Sequence, residues 1–209
     1  MDDFNLSSLT ETRNEYSSLL VNLITPHILQ GIFTIYNEAC QLCEENDENE
    51  KYLMTFQNFL RRVSKWNEET VRKETERIVV NSNCNYLEDL LTCVHVAQLK
   101  ILTHMRVSES SKKIEIDIPS LSPFIHKVYI ELARQVYKNV FLFERGIPSL
   151  QKQKNIRELK VLTGEAILDV IRKQMPLEAI VKSYLSPTSE EHVDEVREEV
   201  HEEEQPQTQ

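Results

Sequence analysis

Three glycines in 209 residues is a marked depletion, since the usual share is about 7%. Phosphate-cradling loops, nucleophile elbows and serial tight turns need backbone that only glycine adopts cheaply, so such devices are largely excluded. Long hydrophobic runs are missing too. The apolar run nearest the N-terminus, Leu19-Leu-Val-Asn-Leu-Ile24, is short and broken by Asn22. Nothing approaches the ~18 consecutive apolar residues of a membrane span. No early segment joins basic residues to an apolar run, as a secretory signal would. The expectation is a chain with no membrane span, not secreted, kept where its four cysteines stay reduced.

What is present is a globular composition, 40% hydrophobic and 28% charged, with length for one substantial core. The net charge of -10 is unevenly spread: -9 over residues 1–50, +7 over 51–160 and -8 over 161–209. Ordinary solvated surface with an acidic tail accounts for this division. A basic middle that touches a polyanion or an acidic partner is the second reading.

The clearest element lies over residues 123–143. Ser122 can cap a helix and Pro123 suits its first position, where a missing N–H costs nothing. Lys127, Glu131, Arg134 and Lys138 form one narrow polar stripe, and most of the remaining circumference is apolar, including Phe124, Val128, Tyr129, Leu132 and Val136. A helix so apolar must be surrounded by other elements, which makes it the hub of a helical core.

Around it, periodicity predicts a helix over 15–45, kinked or split by Pro26, and one long helix over 51–80. The turn Asn81-Ser-Asn-Cys-Asn85 separates that helix from another over 86–105. Strict alternation in Lys113-Ile-Glu-Ile-Asp-Ile118 is strand-like and pairs with Met105-Arg-Val107 as a small hairpin. A helix over 150–175 follows, with a break expected near Thr163-Gly164, then a short helix over 177–185 after Pro176. Beyond Pro187 the chain is Glu-rich and too poor in apolar residues to offset chain entropy. The expected fold is mainly α: a single helical-bundle-like domain over 12–185 around a central buried helix, with one small β-hairpin. Residues 1–11 are expected as a flexible N-terminal arm and 186–209 as a disordered acidic tail.

Candidate chemistry is sparse. Cys40-x-x-Cys43, with Cys84 and Cys93-x-His95, supplies zinc-type ligands. Yet Cys40 and Cys43 fall inside a predicted helix and the others lack knuckle spacing. Small buried side chains on helix faces explain them, so no metal and no cofactor is assigned. His95, His104 and His126 read as core or boundary histidines, and no catalytic residue is assigned. The candidate basic contact patch is Arg61, Arg62 and Lys65 with Lys152, Lys154, Arg157 and Lys160. Nucleic-acid binders gather cations on one face, with aromatics where single strands are stacked. Here acids interleave, as in the favourably ordered pairs Glu68→Arg72 and Glu69→Lys73. The run 152–160 could equally dock on an acidic protein neighbour.

Several strings carry a resemblance: Lys51-Tyr-Leu-Met-Thr-Phe-Gln-Asn-Phe-Leu60 running into Trp66-Asn67, Cys84-Asn-Tyr-Leu-Glu-Asp-Leu90, Lys113-Ile-Glu-Ile-Asp-Ile-Pro119, Phe124-Ile-His-Lys-Val-Tyr-Ile130, Tyr137-Lys-Asn-Val-Phe-Leu-Phe-Glu144 and Gln153-Lys-Asn-Ile-Arg-Glu158. They resemble an uncharacterised protein family of nucleocytoplasmic large DNA viruses, the giant viruses, over about residues 37–185. The resemblance implies a virion-associated structural protein, a minor capsid component partnered by other capsid proteins and located in the virion or host cytoplasm. It carries over no activity and no functional residues. The functional expectation is a structural protein, not an enzyme, acting through protein–protein contacts. The alternative is a nucleic-acid-associated factor of the viral core or replication machinery.

Overall fold

The computed structural model describes residues 2–104 and 119–185, and those residues are mainly helical, with no strand among them. The expected hairpin over 105–118 and the acidic tail over 186–209 lie outside the described residues. Two units divide the chain: one comprises residues 2–104 and 119–175 of those described, the other starts at Pro176.

The first helix, α1, runs unbroken over Asp2–Glu45 with Pro26 inside it. The expected split at Pro26 does not occur, and residues 2–11, expected as a flexible arm, are helical. Packing explains the continuity. Leu20, Ile24, Ile28 and Ile32 recur every fourth residue and are wholly buried on both sides of Pro26, so burial outweighs one missing backbone hydrogen bond. Within Leu6–Glu45 an 18-residue window reaches a mean hydropathy of 1.4, long and apolar enough to cross a membrane by length and composition. A core helix meets the same two criteria, and in this fold α1 packs against four other helices.

The expected single helix over 51–80 is two. A 3-10 turn over Asn49–Lys51 leads into α2, Tyr52–Arg62, and a second over Val63–Lys65 precedes α3, Glu68–Ser82. The break needs neither glycine nor proline. Trp66 is extended, and Asn67 caps α3 by accepting the Thr70 N–H on its side chain at 2.8 Å, while Glu68 and Glu69 sit favourably in the first turn. Asn83 ends α3 in the left-handed conformation at φ 52°, one of the few non-glycine residues that tolerates it. Next comes α4, Leu87–His104.

The hub is α5, Leu121–Lys138, followed by a 3-10 turn over Val140–Phe143. It starts earlier than expected. Ser120 holds the cap position without a side-chain cap bond, and the Leu121 N–H instead donates to the Glu88 carboxylate of α4 at 3.3 Å. Phe124, Val128, Tyr129, Leu132 and Val136 are fully buried among α2, α3, α4 and α6. Enclosure is incomplete at its C-terminal end, where Tyr137 is 39% and Phe141 58% exposed. The hub expected over 123–143 is therefore a helix followed by a 3-10 turn, and part of its apolar surface is open.

The last helix of this unit is α6, Ser149–Lys173. It does not break at Gly164. Thr163 is buried with its hydroxyl on the Leu159 carbonyl at 2.7 Å, and a β-carbon at Gly164 would meet Val21 of α1 at 3.4 Å. The small residue serves close helix–helix packing. In the second unit, α7 spans Leu177–Leu185 as expected.

Candidate functional site

Two grooves carry the sequence-predicted cations. At the end of α2, Arg61, Arg62 and Lys65 are all exposed and share a shallow depression with Asn58 of about 450 Å³. Arg61 also rims a groove of about 560 Å³ between α2 and α5, floored by Leu60, Ile130, Ala133 and Tyr137, with Arg134 and Lys138 on its other bank. The Gln57 side chain donates to the Tyr137 carbonyl at 3.0 Å and ties the two walls together. Arg61 and Lys138 make no ion pair among the described residues. Arg134 has only a 3.7 Å approach to Glu131, whose carboxylate is engaged at 2.7 Å by Lys173. Arg62 turns the other way, over the Phe59 ring at 5.5 Å.

On α6, Lys152, Lys154, Arg157 and Lys160 are all exposed. Arg157 and Lys160 rim a second groove of about 560 Å³ against Val21, Thr25 and Pro26 of α1. The seven cations proposed as one patch are thus dispersed: Arg61 rims the groove between α2 and α5, Arg62 and Lys65 join it only in the shallow depression, and Arg157 and Lys160 rim the groove between α1 and α6, while Lys152 and Lys154 line neither groove. Sequence order could not reveal this, because the helices that separate them are set by tertiary packing.

The cysteine and histidine candidates are dispersed. Cys40 and Cys43 lie on the buried face of α1, Cys84 is buried and Cys93 is exposed, all as free thiols. Cys43 Sγ approaches the Thr55 hydroxyl at 3.2 Å. His95 is buried, with Nδ1 2.9 Å from the Leu91 carbonyl and Nε2 3.2 Å from the Gln174 side-chain amide. His126 donates through Nε2 to the Val63 carbonyl at 2.9 Å and stacks on Trp66. Among the described residues no three His, Cys, Asp or Glu side chains converge as metal ligands.

Sequence reasoning missed a polar network that joins α1, α3 and α5. The buried Tyr129 hydroxyl donates to the Glu74 carboxylate, and Arg77 engages the same carboxylate at 2.6 and 2.9 Å. Arg77 also reaches the His27 carbonyl at 2.7 Å and the Gln30 side chain at 2.9 Å. Burial, and then the Glu74 charge, hold the Tyr129 phenol well above its usual range. Its hydrogen bond to Glu74 raises Arg77, while burial and then Arg77 depress His27. With every member partnered, this network works as a rivet between helices. Its only sequence trace is Gly31, the point of closest approach.

A second cluster fastens the chain after α5. Arg145 contacts Glu44 at 3.1 Å and the Tyr36 hydroxyl at 3.2 Å, and its guanidinium lies 5.2 Å from the Tyr52 ring centre. Tyr36 donates to the Phe143 carbonyl at 3.1 Å, and burial pushes its phenol up to about 12. Phe56 and Phe143, 4.8 Å apart by ring centres, complete the aromatic packing beneath.

No curated protein and no solved structure matches this chain. A model of a protein family of unknown function, DUF5764, matches residues 6–144, a span that runs from within α1 to past the end of α5 and contains the whole α2/α5 groove. The chain therefore belongs to the DUF5764 family of unknown function.

Proposed function

We propose that this protein is a helical scaffold that acts by binding other proteins through the groove between α2 and α5. On its resemblance to giant-virus proteins, we read it as a virion-associated or minor capsid component, located in the particle or the infected-cell cytoplasm. The observation that carries the binding role is the composition of that groove. Leu60, Ile130 and Tyr137 offer an apolar floor, while Arg61, Arg134 and Lys138 line its banks, and neither Arg61 nor Lys138 has an ion-pair partner among the described residues. An amphipathic helix with acidic flanks is complementary to such a surface. In this reading α1 is a core helix and not a membrane span, and the function is binding and not catalysis.

Particle fractionation with and without detergent, followed by mass spectrometry, tests the reading. The wild-type chain should recover with the shell, and the pair Arg61→Glu with Lys138→Glu should release it. Recovery of the wild type only from infected-cell cytosol would defeat the virion assignment. Retention of the charge-reversed pair would defeat the groove.

One observation favours a nucleic-acid reading as well. Asn58, Arg61, Arg62 and Lys65 border one open depression, and none of these cations is paired among the described residues. Such a factor should bind a single-stranded oligonucleotide with an affinity that falls steeply with salt as counterions are released. Absence of retention in filter binding at low salt removes this alternative.

A further inference from the structure

We propose that the groove between α1 and α6 receives the acidic segment 190–204 of a second copy of this chain, so that two copies clasp each other reciprocally. This goes beyond the scaffold reading and uses a different surface. Leu150, Arg157, Val161 and Leu168 are spaced seven, four and seven residues apart on α6, which places them along one helical stripe. Leu150 is 65% and Val161 48% exposed. Arg157 on this stripe and Lys160 beside it make no ion pair among the described residues.

The α1 wall carries one unsatisfied hydroxyl. Thr34, Thr75, Thr103 and Thr163 each donate their hydroxyl to the carbonyl four residues earlier, but the buried Thr25 hydroxyl has no partner among the described residues. Pro26 has no N–H to offer the Asn22 carbonyl, and Asn22, Thr25 and Pro26 all border the groove. Apolar surface, two cations that outnumber the one carboxylate, Glu165, and an unpartnered hydroxyl therefore meet in one place.

The segment 190–204 is complementary to it. Val193, Val196 and Val200 recur at helical spacing among Glu190, Glu191, Asp194, Glu195, Glu198 and Glu199. Charge and apolar spacing agree. A reciprocal exchange between identical copies also closes on itself, as two-fold assemblies do.

Sedimentation of the full chain tests the proposal. At low salt the wild type should sediment as a dimer, dissociating toward monomer at ~1 M salt, where the screening length falls to ~3 Å. Arg157→Glu with Lys160→Glu should be monomeric, as should Glu195→Lys with Glu199→Lys. An equimolar mixture of the two variants should restore the dimer, because each reversed groove then meets an oppositely reversed segment. A monomeric wild type at low salt, a variant that dimerises as the wild type does, or a mixture that stays monomeric each overturns the proposal. Reversal of Arg61 and Lys138, which tests the α2/α5 groove, should leave this dimer unchanged.

Discussion

Gly31 of α1 and Tyr129 of α5 approach so closely that a β-carbon at Gly31 would stand inside van der Waals contact of the Tyr129 hydroxyl, and 2.7 Å from Glu74 Oε1. The rivet between α1, α3 and α5 exists because this one position on α1 carries no side chain.

Replacement of Gly31 by Ala should therefore destabilise the protein even though alanine favours a helix by about 1 kcal/mol. The steric term should prevail, with a net loss of about 1–3 kcal/mol, as for overpacked cores. Urea unfolding measures it. Tyr129→Phe removes the closest atom, so the double variant should lose less than the sum of the singles. Recovery should be partial, since the ring Cζ remains 2.9 Å from the new carbon.

Stability should fall as pH rises through and above 10. Tyr129 and Tyr36 have folded-state values raised above the ordinary 10.0, the first well above it and the second to about 12. Between the unfolded and folded values the unfolded chain has lost a proton that the folded chain keeps, so alkali favours unfolding. Buried Tyr129 contributes up to about 1.4 kcal/mol per pH unit across that window, and Tyr36, partly open to solvent, contributes less. Unfolding midpoints from pH 9 to 11 should slope less steeply in Tyr129→Phe than in the wild type, and equal slopes would refute the assignment.

Asn67→Ala should cost about 1 kcal/mol by removing the α3 cap, while Asn67→Asp should leave the melting temperature nearly unchanged. If alanine proved neutral, the break at Trp66-Asn67 would owe nothing to this side chain.

Of the four cysteines, only Cys93 is exposed. A chromogenic thiol reagent should modify one thiol quickly in the native protein and all four in denaturant, and Cys93→Ser should abolish the fast phase. Two or more fast thiols in the wild type would mean that α1 or the turn before α4 opens readily.

Much of the helical architecture was legible because periodicity is local. The extents of α4 and α7 follow from apolar spacing and from Pro176, and the buried face of α5 does too, though its ends do not. The Asn83 turn was readable in Asn81–Asn85. Breaks were harder to place. Pro26 and Gly164 looked like interruptions, yet Leu20, Ile24, Ile28 and Thr163 are held by neighbours no local pattern names. Conversely, Trp66-Asn67 looked continuous because apolar residues flank it at helical spacing, and one amide cap decides otherwise. The exposure of the seven cations was legible from composition, but which of them border which depression depends on the helices that intervene. The Gly31–Glu74–Tyr129 contact draws on three distant helices, so no window of sequence contains it.

The long α1 acts as a mast to which α2, α3, α4 and α6 are each rigged directly. α1 is translated before α6, so the flank around Val21 stays bare until Ser149–Lys173 has been made. Until then the nascent chain exposes a flank that the folded protein covers. Timely closure by α6 is what separates orderly assembly from aggregation.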